Sequence, residues 1–88
     1  MKIYLLCLVG YEDCIALEAY EDKTEALAMK AKIEKWVSES KLEGNWLDND
    51  DPRIPCDMRK YVDGHLTFVS RYPDKYQIEE INLVRKKT

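Results

Sequence analysis

The sequence predicts an α+β domain: a mainly antiparallel sheet in the order ββα…β, with one main amphipathic helix packed on one face. Three observations predict it. An apolar run at Ile3–Val9 and a second strand-like run at Cys14–Tyr20 are separated by only four residues, Gly10-Tyr11-Glu12-Asp13. Apolar residues then recur at helical spacing from Ala26 to Val37, directly behind a helix-start signal. A last strand-like segment, Tyr76–Val84, closes the chain.

The first strand, Lys2–Val9, places Ile3, Leu5, Cys7 and Val9 on one face and Tyr4, Leu6 and Leu8 on the other. Both faces are apolar, so a central strand covered on both sides is expected. A basic residue before a short apolar stretch also fits a signal peptide, but seven residues is at the short limit and the following Gly-Tyr-Glu-Asp is a poor cleavage site. The expectation is therefore a buried strand, with the fold starting where the chain starts. Gly10 to Asp13 has turn chemistry. The second strand follows, with Ile15, Leu17 and Ala19 expected on the core face and Cys14, Ala16, Glu18 and Tyr20 half exposed.

Asp22-Lys23-Thr24-Glu25 fits a capping box, in which Asp22 accepts from a backbone N–H and Glu25 reaches back. Ala26, Met29, Ile33, Trp36 and Val37 form the apolar stripe, and Lys30 with Glu34 makes an i, i+4 pair. The helix is expected to stop by Gly44, acting as its C-terminal cap. Residues 45–75 read as a long insertion. The stretch from Asn45 to Cys56 carries Trp46, the run Asp48-Asn49-Asp50-Asp51, and Pro52 and Pro55, and reads as an ordered surface loop. Arg59–Val62 and His65–Val69 flank Asp63-Gly64, a favoured hairpin turn, so a second hairpin is expected, with a short helix at Asp57–Val62 as the competing reading. Tyr72 to Lys75 reads as a turn and Arg85 to Thr88 as a frayed basic tail. The simplest assembly is a single domain, residues 1–88. Its first strand lies between the second and the last, the helix crosses one face, and the insertion covers the second face or extends an edge.

The 88 residues are 45% hydrophobic and 35% charged, with a formal net charge of −3, the balance of a globular fold and not of a disordered tail. The first half carries that −3 and the second half is neutral, so the domain lacks the positive field of a non-specific nucleic-acid binder. No apolar run approaches the ~20 residues needed to cross a bilayer, and no membrane partner is expected. Three irregularly spaced cysteines, Cys7, Cys14 and Cys56, form neither a disulfide framework nor a CxxC metal site. Reduced thiols and a cytoplasmic location follow as the expectation.

The chemistry-bearing residues are few. The acidic run at 48–51 could attract a hard cation, but an EF-hand loop started at Asp48 would place Arg53 where Gly is needed and Arg59 where Glu is needed. His65 with Cys56 or Cys14 could make a base and nucleophile, yet no glycine-rich or nucleophile-elbow motif accompanies them. Asp57, Asp63, Glu79 and Glu80 read as ordinary surface carboxylates. Neither catalysis nor a cofactor or resident metal is expected. Trp46, Tyr61, Arg71 and Tyr72 are of the types that anchor protein interfaces, and lie in or beside the insertion, so they are the candidate partner-binding residues. An exposed sheet edge offers a second route, to a partner or to a second copy as a homodimer. Basic and aromatic residues also interleave from Arg59 to Tyr76, which makes a nucleic-acid-binding module the alternative; Asp57, Asp63 and Asp74 break up that patch.

Lys2-Ile3-Tyr4-Leu5, Ile15-Ala16-Leu17, Asp22-Lys23-Thr24-Glu25-Ala26 and the closing Gln77-Ile78-Glu79-Glu80-Ile81 together resemble a group of very small phage and bacterial proteins with a strand-turn-strand-helix-strand pattern. The resemblance covers about the first forty residues and the last ten; residues 45–75 depart from it by a long insertion. It implies an accessory role, such as an inhibitor or modulator that occupies a host protein's surface, for example a defence or transcription factor. It supplies no catalytic residues. The expected function is thus a non-catalytic protein-binding accessory protein.

Overall fold

The computed structural model describes residues 1–10, 12–69 and 75–82. Its elements run β1 (Lys2–Val9), β2 (Cys14–Tyr20), α1 (Lys23–Ser40), α2 (Gly64–Phe68) and β3 (Tyr76–Asn82). The three strands form one antiparallel sheet in the order β2-β1-β3, so β1 is central, as its apolar character predicts. The Asp22 arm of the expected cap forms: its Oδ1 accepts from the Thr24 N–H at 2.8 Å and opens α1. The helix stripe is as expected, with Ala26 and Ile33 fully buried and Met29, Trp36 and Val37 packed against the core. Lys30 and Glu34 pair at 2.8 Å.

Four expectations are corrected. The helix is capped by Lys41, which takes the left-handed conformation at φ 57°, three residues before Gly44 at φ 86°. No hairpin forms around Asp63-Gly64. Instead Asp63 Oδ1 accepts from the His65 and Leu66 N–H groups, both at 3.0 Å, and caps α2. Gly64 is not in a positive-φ conformation. It is required because a Cβ there would run into the carbonyl of Leu47. Asp-Gly is thus a cap followed by a close backbone approach, and residues 57–61, the site of the competing helix, form turns. In β2 a bulge changes the phase. Leu6 pairs with Glu18 but Cys7 pairs with Ala16, so two residues of β2 stand opposite one step of β1. Ala19 consequently lies beside Leu5, Glu18 and Tyr20 share the face of Leu6 and Tyr4, and Ile15 is 38% exposed.

The fourth correction sets the architecture. The described part of the insertion does not cover the second face of the sheet. One cluster joins Leu6 and Leu8 of β1, Ile33 of α1, Leu47, Ile54, Met58 and Val62 of the insertion, Leu66 and Phe68 of α2, and Tyr76 of β3. Helix and insertion therefore share a single face. Phe68, fully buried, meets Trp36 edge-on with ring centroids 6.0 Å apart; burial of such a ring contributes about 1.5–3 kcal/mol. The opposite face carries Ile3, Leu5, Cys7 and Val9 at its centre. Around them lie Cys14, Ala16 and Ala19 of β2 and Gln77, Glu79 and Ile81 of β3, all exposed. Ile3, Leu5 and Val9 are only half buried, and no described element packs over them. The expected turn at 72–74, the tail at 85–88 and the last two residues of the Tyr76–Val84 segment lie outside the described residues.

Candidate functional site: an exposed tryptophan on a braced insertion

The insertion is built from successive turns and not from regular strands. The Asp51 N–H donates to the Asp48 carbonyl, Ile54 to Asp51, Met58 to Pro55 and Tyr61 to Met58, at 2.9–3.0 Å. This rhythm turns Leu47, Ile54, Met58 and Val62 inward at intervals of four to seven residues and leaves the residues between them exposed, apart from the half-buried Asp51 and Tyr61. Backbone satisfaction by local turns lets a proline-containing stretch pack without a sheet.

Three braces hold it. The Gly64 N–H donates to Asn49 Oδ1 at 2.7 Å, tying the acidic stretch to the start of α2. Arg59 donates through Nε to the Ile54 carbonyl at 3.2 Å and through a terminal nitrogen to the Asp50 carbonyl at 3.4 Å. The Tyr76 hydroxyl donates to the Tyr61 carbonyl at 3.0 Å and lies 3.3 Å from the Oγ1 of the fully buried Thr67, a polar junction between insertion, α2 and β3. Burial pushes the Tyr76 phenol up to about 12.

A fourth brace reaches β2. The Glu18 carboxylate accepts from Lys60 at 2.8 Å, from the Tyr61 hydroxyl at 2.8 Å and from the Tyr20 hydroxyl at 2.6 Å. Those three donors, Lys60 foremost, hold its carboxyl down at about 2. Burial, and then the bond to Glu18, push the Tyr20 phenol upward.

Against this frame the four candidate residues separate. Trp46 is 71% exposed although its neighbour Leu47 is 2% exposed. Its indole meets the exposed His65 imidazole edge-on, with centroids 4.9 Å apart. Tyr61 is half-buried and committed to Glu18, so it serves the frame and not the free surface. Arg71 and Tyr72 lie outside the described residues. His65, expected either as a base for a cysteine or as one of the interleaved residues of the Arg59–Tyr76 stretch, lies beside Trp46. The signal available was the cap: Asp63 fixes the first turn of α2, and the residue after Gly64 must leave the core.

The other candidates resolve by their contacts. Asp51 is bound to Arg53 at 3.0 Å through both carboxylate oxygens. Among the described residues no three metal-ligating side chains converge. His65 makes no hydrogen bond to Cys14 or Cys56 among those residues, and both thiols are exposed. Cys7 is buried, and burial first, with Cys14 nearby, pushes its thiol up to about 11. Among the described residues no helix is long and apolar enough to cross a membrane.

No protein-family model matches the chain, and comparison with curated proteins and with solved structures yields no match.

Proposed function

We propose that this chain is a non-catalytic protein-binding accessory domain, of the kind that modulates a host protein by occupying its surface. The observation that carries the reading is Trp46. Trp46, 71% exposed, stands between two ties to the α2 region, the Gly44 N–H donating to the Phe68 carbonyl before it and the Gly64 N–H donating to Asn49 after it, and its indole meets His65. Tryptophan on a preorganised platform is the residue type that supplies most binding energy at protein interfaces, because it buries a large area with little loss of side-chain freedom. The half-buried apolar face of Ile3, Leu5 and Val9 is consistent with a molecule that completes its surface against another protein.

The nucleic-acid alternative draws less support. Arg59 is spent on the carbonyls of the insertion, Lys60 on Glu18, and Lys75 on the Thr67 carbonyl with Glu43 3.6 Å away. Each would have to leave an internal partner to reach phosphate.

A photo-crosslinking amino acid placed at position 46 tests the proposal in lysate of the source cell. The expected result is one protein captured from position 46 and not from the exposed position 32, with capture lost on competition by the unmodified chain and not by its Trp46→Ala variant. Equal capture from both positions would overturn the reading.

A further inference from the structure

We propose that the edge of β3 takes up an extended peptide from a partner protein, with acidic side chains flanking an apolar one on the side that faces α1. The proposal rests on the protein-binding reading and names a second contact, remote from Trp46 in the sequence. Two features coincide at this edge. Among the described residues no strand pairs with β3 on the side away from β1, so half of its backbone N–H and C=O groups face outward. Along the same edge runs an open groove of about 510 Å³ between β3 and α1, within the range of peptide- and ligand-sized sites.

The walls of the groove define the occupant. Its floor is Tyr4 of β1 with Tyr76 and Ile78 of β3. Its upper wall is Lys23, Leu27 and Lys30, spaced four and three residues apart and therefore on one helix face. Leu27 is 47% exposed and lies between the two lysines along that helix face. Register places Tyr76, Ile78 and Glu80 on the same side of β3 at successive two-residue steps. An added strand has the same period, so three of its alternate side chains would face the groove together. The middle one meets Leu27 and Ile78, and the outer two meet the lysines. Glu80, also at the groove, is paired with Lys2 at 3.1 Å, which offsets its repulsion of an acidic guest. Lys23 makes no ion pair among the described residues, and Lys30 has only the exposed Glu34 to exchange. Backbone pairing supplies affinity in this mode and the alternate pockets supply selectivity.

The test uses the full chain and a blocked synthetic heptapeptide, Thr-Glu-Thr-Ile-Thr-Glu-Thr, followed by backbone amide NMR. Expected are saturable shifts at residues 76–82 and 23–30, a Kd below about 1 mM, and at least ten-fold weaker binding by the Lys23→Glu/Lys30→Glu double variant. Lys23 is exposed and Lys30 partly so, outside the buried cluster, and the helix is checked by circular dichroism. The double variant should in turn bind Thr-Lys-Thr-Ile-Thr-Lys-Thr better than the unaltered chain does. Absence of shifts at these residues, equal binding of the two peptides by the unaltered chain, or occupation of the groove by decanoate or by a second copy in place of peptide would each overturn the proposal. Crosslinks from position 46 that persist in any of those cases leave the protein-binding reading intact without this edge.

Discussion

Glu18 joins the insertion to the sheet, and its charge should govern how the fold responds to acid. Three donors hold its carboxyl at about 2, against an ordinary 4.5. The native carboxylate binds its proton more weakly than the unfolded one. Its stabilisation is therefore complete above the ordinary carboxylate range and disappears as pH falls toward 2. The full shift corresponds to about 3 kcal/mol at most. The side chain is 28% exposed, and solvent screening leaves about half of that, ~1.5 kcal/mol. Glu18→Gln keeps the shape and removes the charge. At pH 7 it should lower stability by ~1.5 kcal/mol, or roughly 6–12 °C in Tm for a domain of this size. Urea unfolding, read by tryptophan fluorescence at a series of pH values, measures the difference between the two proteins. Other titrating groups largely cancel in that difference. It should hold constant from pH 7 to about 5, shrink below that, and vanish near pH 2. A difference that does not change with pH, or none at pH 7, would refute the account of Glu18 as a charged tie.

Lys41→Gly should stabilise the chain by about 0.5–1 kcal/mol, because Lys41 occupies a left-handed cap at φ 57° that glycine adopts without steric cost; thermal unfolding measures it, and a loss of stability would count against the cap geometry. Titration with a disulfide reagent at pH 8 should show two fast thiols, Cys14 and Cys56, and one that reacts only on unfolding, Cys7, which is 2% exposed with its thiol pushed up to about 11. Three fast thiols would mean that the open sheet face does not shield Cys7.

Placing α1, α2 and the described part of the insertion on the same face concentrates ten buried residues in one cluster. Ile3, Leu5 and Val9 on the other face stay half covered among the described residues.

The local elements were legible in the sequence because their causes are local. The two-sided apolar pattern of Lys2–Val9, the Asp22 cap, the Ala26–Val37 stripe and the place of β1 between β2 and β3 each follow from residue type and spacing over a few positions. What depended on distant chain was not legible. Asp63-Gly64 carries the same local preference for a hairpin turn as for a helix cap, and the backbone of Leu47, seventeen residues earlier, decides between them. The bulge that puts Glu18 beside Leu6 exists only in the pairing with β1, so the phase of β2 cannot be read from β2 alone. Trp46 was singled out by its type, but its exposure was open until Leu47 took the place in the core and His65 arrived from α2. Which face the insertion would cover was likewise undecided, since both faces of β1 are apolar. Patterning within a strand specifies that a side chain is suited to burial; only the packing of segments far apart in the chain specifies what buries it.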